Sequence, residues 1–300
     1  MMKKLRTTMS GWAVVVWAVS GVPAVQAGEL PSSGEFRRMV RSAVVEAGRD
    51  PSRISYAAAV VEARSGRVLW SEGVRQDENV YPASMIKAVV AFAVLRKVDR
   101  GEVRLEQEVT ISQSNADAEC ALGCARYGFG RSILVSTLLN DMIVHSNNIA
   151  TNQLIDLVGK PFINRTAMAV DARGIQVLRK VYVQVNPEPE LTVRNQGNAA
   201  AFVAFYREVV SNSRELLTAS SREKLLDLLA RCHSRNRLNA LLPRAVTFFH
   251  KTGSTSDSSS DAGFYWLDPE HVVIIAGMHD FHDYAPLRQV GRAVFDRLGD

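Results

Sequence analysis

Cysteine is scarce in this 300-residue chain, which has only Cys120, Cys124 and Cys232. Cys120 and Cys124 lie in a glycine-rich stretch, Ala118 to Gly130, that contains no histidine, so the C-x3-C spacing makes a poor zinc site. Two outcomes stay open: the pair closes a small loop by oxidation, or all three thiols remain unpaired. A membrane-length apolar run is also missing, since Trp12 to Val22 is too short to cross a bilayer. There is no basic stripe of the kind that binds nucleic acid. The first 27 residues carry Lys3, Lys4 and Arg6 and no acid, so the formal charge of +5 falls to +2 beyond them. Internal repeats are absent.

What the N-terminus does have is the three-part pattern of a secretory leader. A positive start is followed by the short apolar run and by Val25-Gln26-Ala27, small residues at the positions a signal peptidase reads. Cleavage after Ala27 is expected, and the length of the run disfavours an uncleaved anchor. No cysteine follows the cleavage point, which argues against a lipoprotein. The expected product is an exported protein, periplasmic or secreted, with no membrane insertion after cleavage. The remaining 273 residues are enough to bury a large core.

Along the chain, residues 35–48 repeat apolar side chains at helical spacing, with Ser32 or Ser33 as a possible cap. Ile54 to Glu62 reads as a strand and Arg67 to Ser71 as its hairpin partner. Helices are expected over 84–98, 132–144, 148–158, 161–170, 198–210 and 220–230. Three late strands are expected at Ala245 to His250, Gly263 to Leu267 and Val272 to Met278, with a loop over Ser254 to Asp261. A last helix starts near Pro286. Strands at both ends and helices between them imply an α+β fold. Its five-stranded antiparallel sheet is built from both chain ends and flanked by helices, beside an all-helical lobe. The expected division is a leader over 1–27 and one domain over 28–300. Within that domain, 28–83 and 213–300 form the sheet lobe and 84–212 the helical lobe. The groove between lobes is the natural site.

Three short motifs carry hydroxyls beside cations or amides. The first is Ser84-Met85-Ile86-Lys87, which opens a very apolar helix behind Pro82. Ser84 in the first turn meets unpaired amides, and Lys87 lies on the same face, where a desolvated amine can take a hydroxyl proton. The bland alternative is a cap and a surface charge, yet Lys87 is the sole charge between Ser84 and Leu95. Ser146-Asn147-Asn148 separates two helical runs and reads equally as a turn. Lys251-Thr252-Gly253-Ser254 ends a strand and can hold a carboxylate, or is a strand end with a glycine turn. Either of the first two patterns arises by chance about once per chain, and K-T-G in about one chain in ten to twenty. The ordered triple is much rarer. His279-Asp280-Phe281-His282-Asp283 is dense in metal-ligand types, but a polar loop before the last helix is the expected reading.

Together the three motifs resemble the signature of the penicillin-recognising serine hydrolases, closest to the class A β-lactamase branch. The resemblance runs from about residue 35 to 298 and includes His145, the segment after Asn148, and Asp261-Ala262-Gly263. It implies Ser84 as the acylated nucleophile, Lys87 as its proton partner, Ser146 as a proton relay and Asn148 as a contact to the substrate amide. Lys251, Thr252, Gly253 and Ser254 would recognise a carboxylate, with the amides of Ser84 and Ser254 as oxyanion hole. The implied substrate is a β-lactam or a D-Ala-D-Ala-like compound, taken by a monomer without metal or cofactor. Two departures stand out. Asn147 replaces the usual Asp, and Glu188-Pro189-Glu190-Leu191-Thr192 only approximates the loop that supplies a deacylating Glu. Either Glu188 is that base, or Arg179 and Arg194-Asn195 align with a variant loop and Glu188 is solvated. The reading from resemblance is therefore a serine β-lactamase, with a D,D-peptidase-like relative or a non-turnover penicillin-binding sensor as alternatives.

Overall fold

Successive side chains of a strand point to opposite faces, and two strands of this protein are apolar on both. The computed structural model describes residues 30–116, 127–181 and 193–299. The expected leader, Cys120, Cys124 and Glu188 lie outside these residues. β1 (Ile54–Glu62) and β7 (His271–His279) pair antiparallel from Ile54 opposite His279 to Glu62 opposite His271. On β1, Ala57, Ala59 and Val61 enter one core, while Tyr56, Ala58 and Val60 enter the other. A strand covered on both faces sits inside a sheet. β2 (Val68–Val74), β6 (Ser259–Trp266) and β5 (Phe249–Ser254) complete a five-stranded antiparallel sheet of order β2-β1-β7-β6-β5.

The outer face is covered by α1 (Ser33–Glu46) and the C-terminal α9 (Ala285–Gly299). Their Phe36, Val40, Leu287 and Val290 pack with Tyr56, Val60 and Tyr265. Ser32 and Glu35 close a capping box at the start of α1. Between the flanking elements run α2 (Ile86–Asp99), β3 (Glu108–Thr110), α3 (Gln113–Ala116), β4 (Ser132–Leu134), α4 (Val135–Val144), α5 (Asn148–Val158), α6 (Lys160–Ala169), α7 (Ala199–Ser211) and α8 (Ala219–Ala230). Every residue of α2 from Ile86 to Leu95 is buried, because α4, α5, α6 and α8 surround it. α7 lies on β1, β6 and β7, and α8 on α2, α4 and β5.

Three boundaries differ from the sequence reading. The strand expected over 245–250 begins at Phe249 and carries the whole Lys251–Ser254 motif inside β5. β6 starts at Ser259, within the stretch expected to be a loop. Ser258, Ser259, Ser260 and Asp261 are polar but buried, because each finds partners in neighbouring segments. Residues 132–134 form β4 against β3 rather than the start of a helix. Apart from these three, the second strand of the hairpin runs to Val74 rather than Ser71.

His279, one of the residues dense in ligand types, is taken up by the scaffold. Its Nε2 accepts from the Tyr56 hydroxyl at 2.6 Å, and its Nδ1 lies 3.2 Å from the Asp283 carbonyl, which can only accept. The ring is therefore neutral, with its proton on Nδ1. Burial holds its pKa down to about 3, against a usual 6.5. An unfolded chain binds this proton below about pH 6.5 and the folded one does not, so stability is lost as pH falls from 6.5 towards 3. Replacing His279 with Gln should reduce the slope of unfolding free energy against pH in that window by up to about 1.4 kcal/mol per pH unit. Urea denaturation at a series of pH values measures it.

Candidate active site

Pro82 leads into a single 3-10 turn, Ala83–Met85, that places Ser84 at the mouth of the central helix α2. Ala83 has φ +47°, a left-handed conformation that costs an alanine about 1–2 kcal/mol. The turn packs against β5 and β6. Ser260 on β6 donates to the carbonyls of Pro82 and Gly253 at 3.1 and 3.2 Å, tying the two strands to the serine turn.

Lys87 lies on the first turn of α2 and is 0% exposed. Its Nζ donates to the Ser146 carbonyl at 2.5 Å, the Ser146 hydroxyl at 3.1 Å and Asn148 Oδ1 at 2.6 Å. Ser146 occupies the corner between α4 and α5 with φ +57°, again left-handed. From the other side Lys251, 1% exposed on β5, donates to the same Ser146 hydroxyl at 3.1 Å. Two ammonium groups from opposite parts of the fold thus converge on one hydroxyl. Burial lowers the Lys251 pKa, Arg237 lowers it further, and Asp261 and Cys232 oppose the shift.

Asn147 does not face this cluster with its carbonyl. Its Oδ1 accepts from the Ala150 amide at 2.8 Å and caps α5. Asp and Asn cap helices equally well, so the departure from the usual Asp is explained by that role. One turn on, Asn152 donates to the Val181 carbonyl at 2.7 Å and accepts from the Val181 amide at 2.8 Å. Asn195 Oδ1 accepts from the amides of Leu178 and Arg179 at 2.8 and 2.9 Å.

β5 passes directly behind the serine turn. A Cβ on Gly253 would come within 2.3 Å of the Pro82 carbonyl oxygen and 3.0 Å of the Ser84 amide nitrogen. Glycine is required here by close approach of two backbones. Beyond it, Ser254 accepts from Arg237 Nη2 at 3.1 Å. The sequence reading missed Arg237, one of many arginines with no motif around it. It is 4% exposed, stacks on the Tyr284 ring at 4.2 Å, and its Nε has no partner. Among the described residues neither Arg237 nor Lys251 has a carboxylate within ion-pair distance. A separate hollow of about 640 Å³, lined in part by Arg53, Arg75 and Arg194, differs in this respect. Its arginines pair with Asp280, Glu78 and Asp257. The Lys251–Arg237 side, unlike that hollow, presents buried cations with no carboxylate at ion-pair distance among the described residues.

The family model described as the β-lactamase enzyme family matches residues 55–298. The chain belongs to this family. It is 26% identical to β-lactamase L2 of Stenotrophomonas maltophilia over 213 residues, covering 70% of this chain and 68% of that one. Against β-lactamase VEB-1 of Pseudomonas aeruginosa it is 22% identical over 209 residues, covering 64% and 67%. Among solved structures, a β-lactamase from Xanthomonas campestris superimposes with a TM-score of 0.72 at 26% identity, covering 88% of this chain and 99% of that one. PBP-A superimposes with a TM-score of 0.71 at 23% identity, covering 92% and 98%.

In this β-lactamase-family fold the 3-10 turn lies against β5, and the α4–α5 corner brings the Ser146 hydroxyl to Lys87 and Lys251. Gly253→Ala must displace one backbone against another. A misplacement near 1 Å at a reacting centre costs about 10²-fold in rate. Labelling by a fluorescent penicillin should slow by about that factor, with an unchanged far-UV circular dichroism spectrum.

Proposed function

We propose that the protein is a serine β-lactamase that opens the lactam ring through an acyl-enzyme on Ser84. The observation that carries this reading is the shared Ser146 hydroxyl, 3.1 Å from both Lys87 Nζ and Lys251 Nζ. A hydroxyl between two buried amines is suited to passing a proton from one side of a substrate to the other. In its neutral amine form, which releases one of its three hydrogen bonds, Lys87 takes the proton of Ser84 Oγ as that oxygen attacks the lactam carbonyl carbon. The carbonyl oxygen becomes an oxyanion held by the amides of Ser84 and Ser254. The C–N bond then breaks, and Ser146 gives a proton to the departing nitrogen, replenished through Lys87 or Lys251. Asn148 keeps its Oδ1 on Lys87 and can offer its NH2 to the substrate's side-chain amide carbonyl. Lys251, Thr252, Ser254 and Arg237 receive the substrate carboxylate.

Water must finally attack the Ser84 ester and release the ring-opened acid. Glu188 is the group proposed to activate it. A second reading, in which the ester persists, draws on the Asn195 side chain that binds the amides of Leu178 and Arg179. Arg179 and Asn195 are the residues that the alternative alignment matches to a variant loop, under which Glu188 is not the base. One solved PBP-A variant is described as an acyl-enzyme complex with penicillin G. The working unit under either reading is the chain from about residue 28, a monomer acting outside the cytoplasm. Among the described residues no helix is long and apolar enough to cross a membrane.

Intact-mass spectrometry after mixing with a penicillin tests the reading. The wild-type protein should gain one drug mass, and Ser84→Ala should gain none. Hydrolysis by that variant at more than about 10⁻³ of the wild-type rate would overturn the assignment. If Glu188 is the base, the wild-type adduct clears within the assay and Glu188→Gln accumulates it. An adduct that persists on the wild-type protein establishes the second reading instead.

A further inference from the structure

Between the end of α8 at Ala230 and the start of β5 at Phe249 the chain forms no helix or strand. An irregular segment is held by its side-chain and backbone anchors, because it has no ladder of its own. Arg237 lies in this segment. Its guanidinium must nevertheless stand at a fixed place beside Ser254 if it is to receive a carboxylate.

The anchors converge on one buried carboxylate. Asp261, 0% exposed on β6, accepts from the backbone amide of Leu238 through Oδ2 at 3.2 Å. Its Oδ1 lies 2.8 Å from His250 Nδ1, on the neighbouring strand. The other nitrogen of that imidazole faces Asn239 Nδ2 at 3.2 Å. Asn239 in turn donates to the Ser234 carbonyl at 3.1 Å. Residues 234, 238 and 239 are thereby fastened around Arg237 to a charge inside the sheet. Burial works against an imidazolium at His250, but Asp261 and Cys232 overcome it and raise the pKa.

We propose that Asp261, acting through Leu238, His250 and Asn239, is a positioning residue that holds the Arg237 guanidinium at Ser254 and so sets the enzyme's preference for carboxylate-bearing substrates. This rests on the acylation reading given above. Asp261 touches no substrate. On the face of the sheet that carries Thr252, it is the anchor from which the receptor segment hangs. Asn in its place keeps one oxygen and puts an NH2 donor where the second bond, to the Leu238 amide or to His250 Nδ1, needs an acceptor.

The test compares a penicillin with its methyl ester, which lacks the negative charge. For each, the dissociation constant of the initial complex and the limiting acylation rate of Ser84 are measured by stopped-flow. Asp261→Asn should weaken the initial complex with the acid about tenfold, within the range of coupling between neighbouring groups. Its limiting acylation rate should stay within about threefold, and the ester should be unaffected. In an Arg237→Ala background, Asp261→Asn should add nothing further. Asn239→Ala should show the same loss of preference for the acid, and it serves as the test if Asp261→Asn does not fold. Equal losses for acid and ester, or effects that multiply in the double variant, would overturn the positioning role. A wild-type protein acylated by neither compound overturns the acylation reading, and this proposal with it.

Discussion

Two ammonium groups are held out of water around one serine hydroxyl, and the arrangement of the rest of the protein follows from that constraint. Burial makes the charged form of a buried amine costly, and at Lys251 it lowers the pKa. Neither amine can retreat. Lys87 is fixed on α2, whose first ten residues are wholly buried, and Lys251 on β5 between β6 and α8. The helical packing and the sheet are the framework that keeps them together. An arriving carboxylate would supply the counter-charge that Lys251 and Arg237 lack among the described residues.

The backbone is strained at the same place. Ala83, immediately before Ser84, and Ser146 both have positive φ. Residues without glycine's freedom are held in such conformations only where the surroundings over-determine them, and such strain clusters at functional sites. At Ala83 the surroundings are β5 and β6, through the Ser260 bonds to Pro82 and Gly253. At Ser146 they are the carbonyl bond to Lys87 and the cap that Asn147 places on α5. The scaffold therefore fixes the backbone of the serine turn and of the Ser146 corner.

β6 shows how the sheet is used. Its start, Ser259-Ser260-Asp261, is polar and fully buried, and each side chain has a different task. Ser259 binds the carbonyls of Phe281 and Asp283 ahead of α9, Ser260 the serine turn, and Asp261 the Arg237 segment. The other half, Ala262 to Trp266, is apolar and packs into the two cores. One strand joins the hydrophobic scaffold to the polar site.

The sequence by itself determined the elements whose signal is local. The apolar run behind Ser84 gave α2, the uninterrupted apolar stretches gave β1 and β7, and the order of the three motifs identified Ser84, Lys87, Ser146 and Lys251 as a group. Where polar residues are buried, local reading failed. His250 to Ser254 and Ser259 to Asp261 read as a strand end and a loop, because polarity normally marks solvent. Those residues are strand because β5 and β6 pair as a hairpin, and their polar side chains can be buried there because partners arrive from far along the chain. Lys251 meets a hydroxyl 105 residues away, and Ser260 a carbonyl 178 residues away. Arg237 had no motif to mark it, since its surroundings, an aromatic ring and a strand-end hydroxyl, are brought beside it by folding. Periodicity records which face of an element is apolar. Only the tertiary structure decides which polar groups can be satisfied away from water, and it is those groups that make the site.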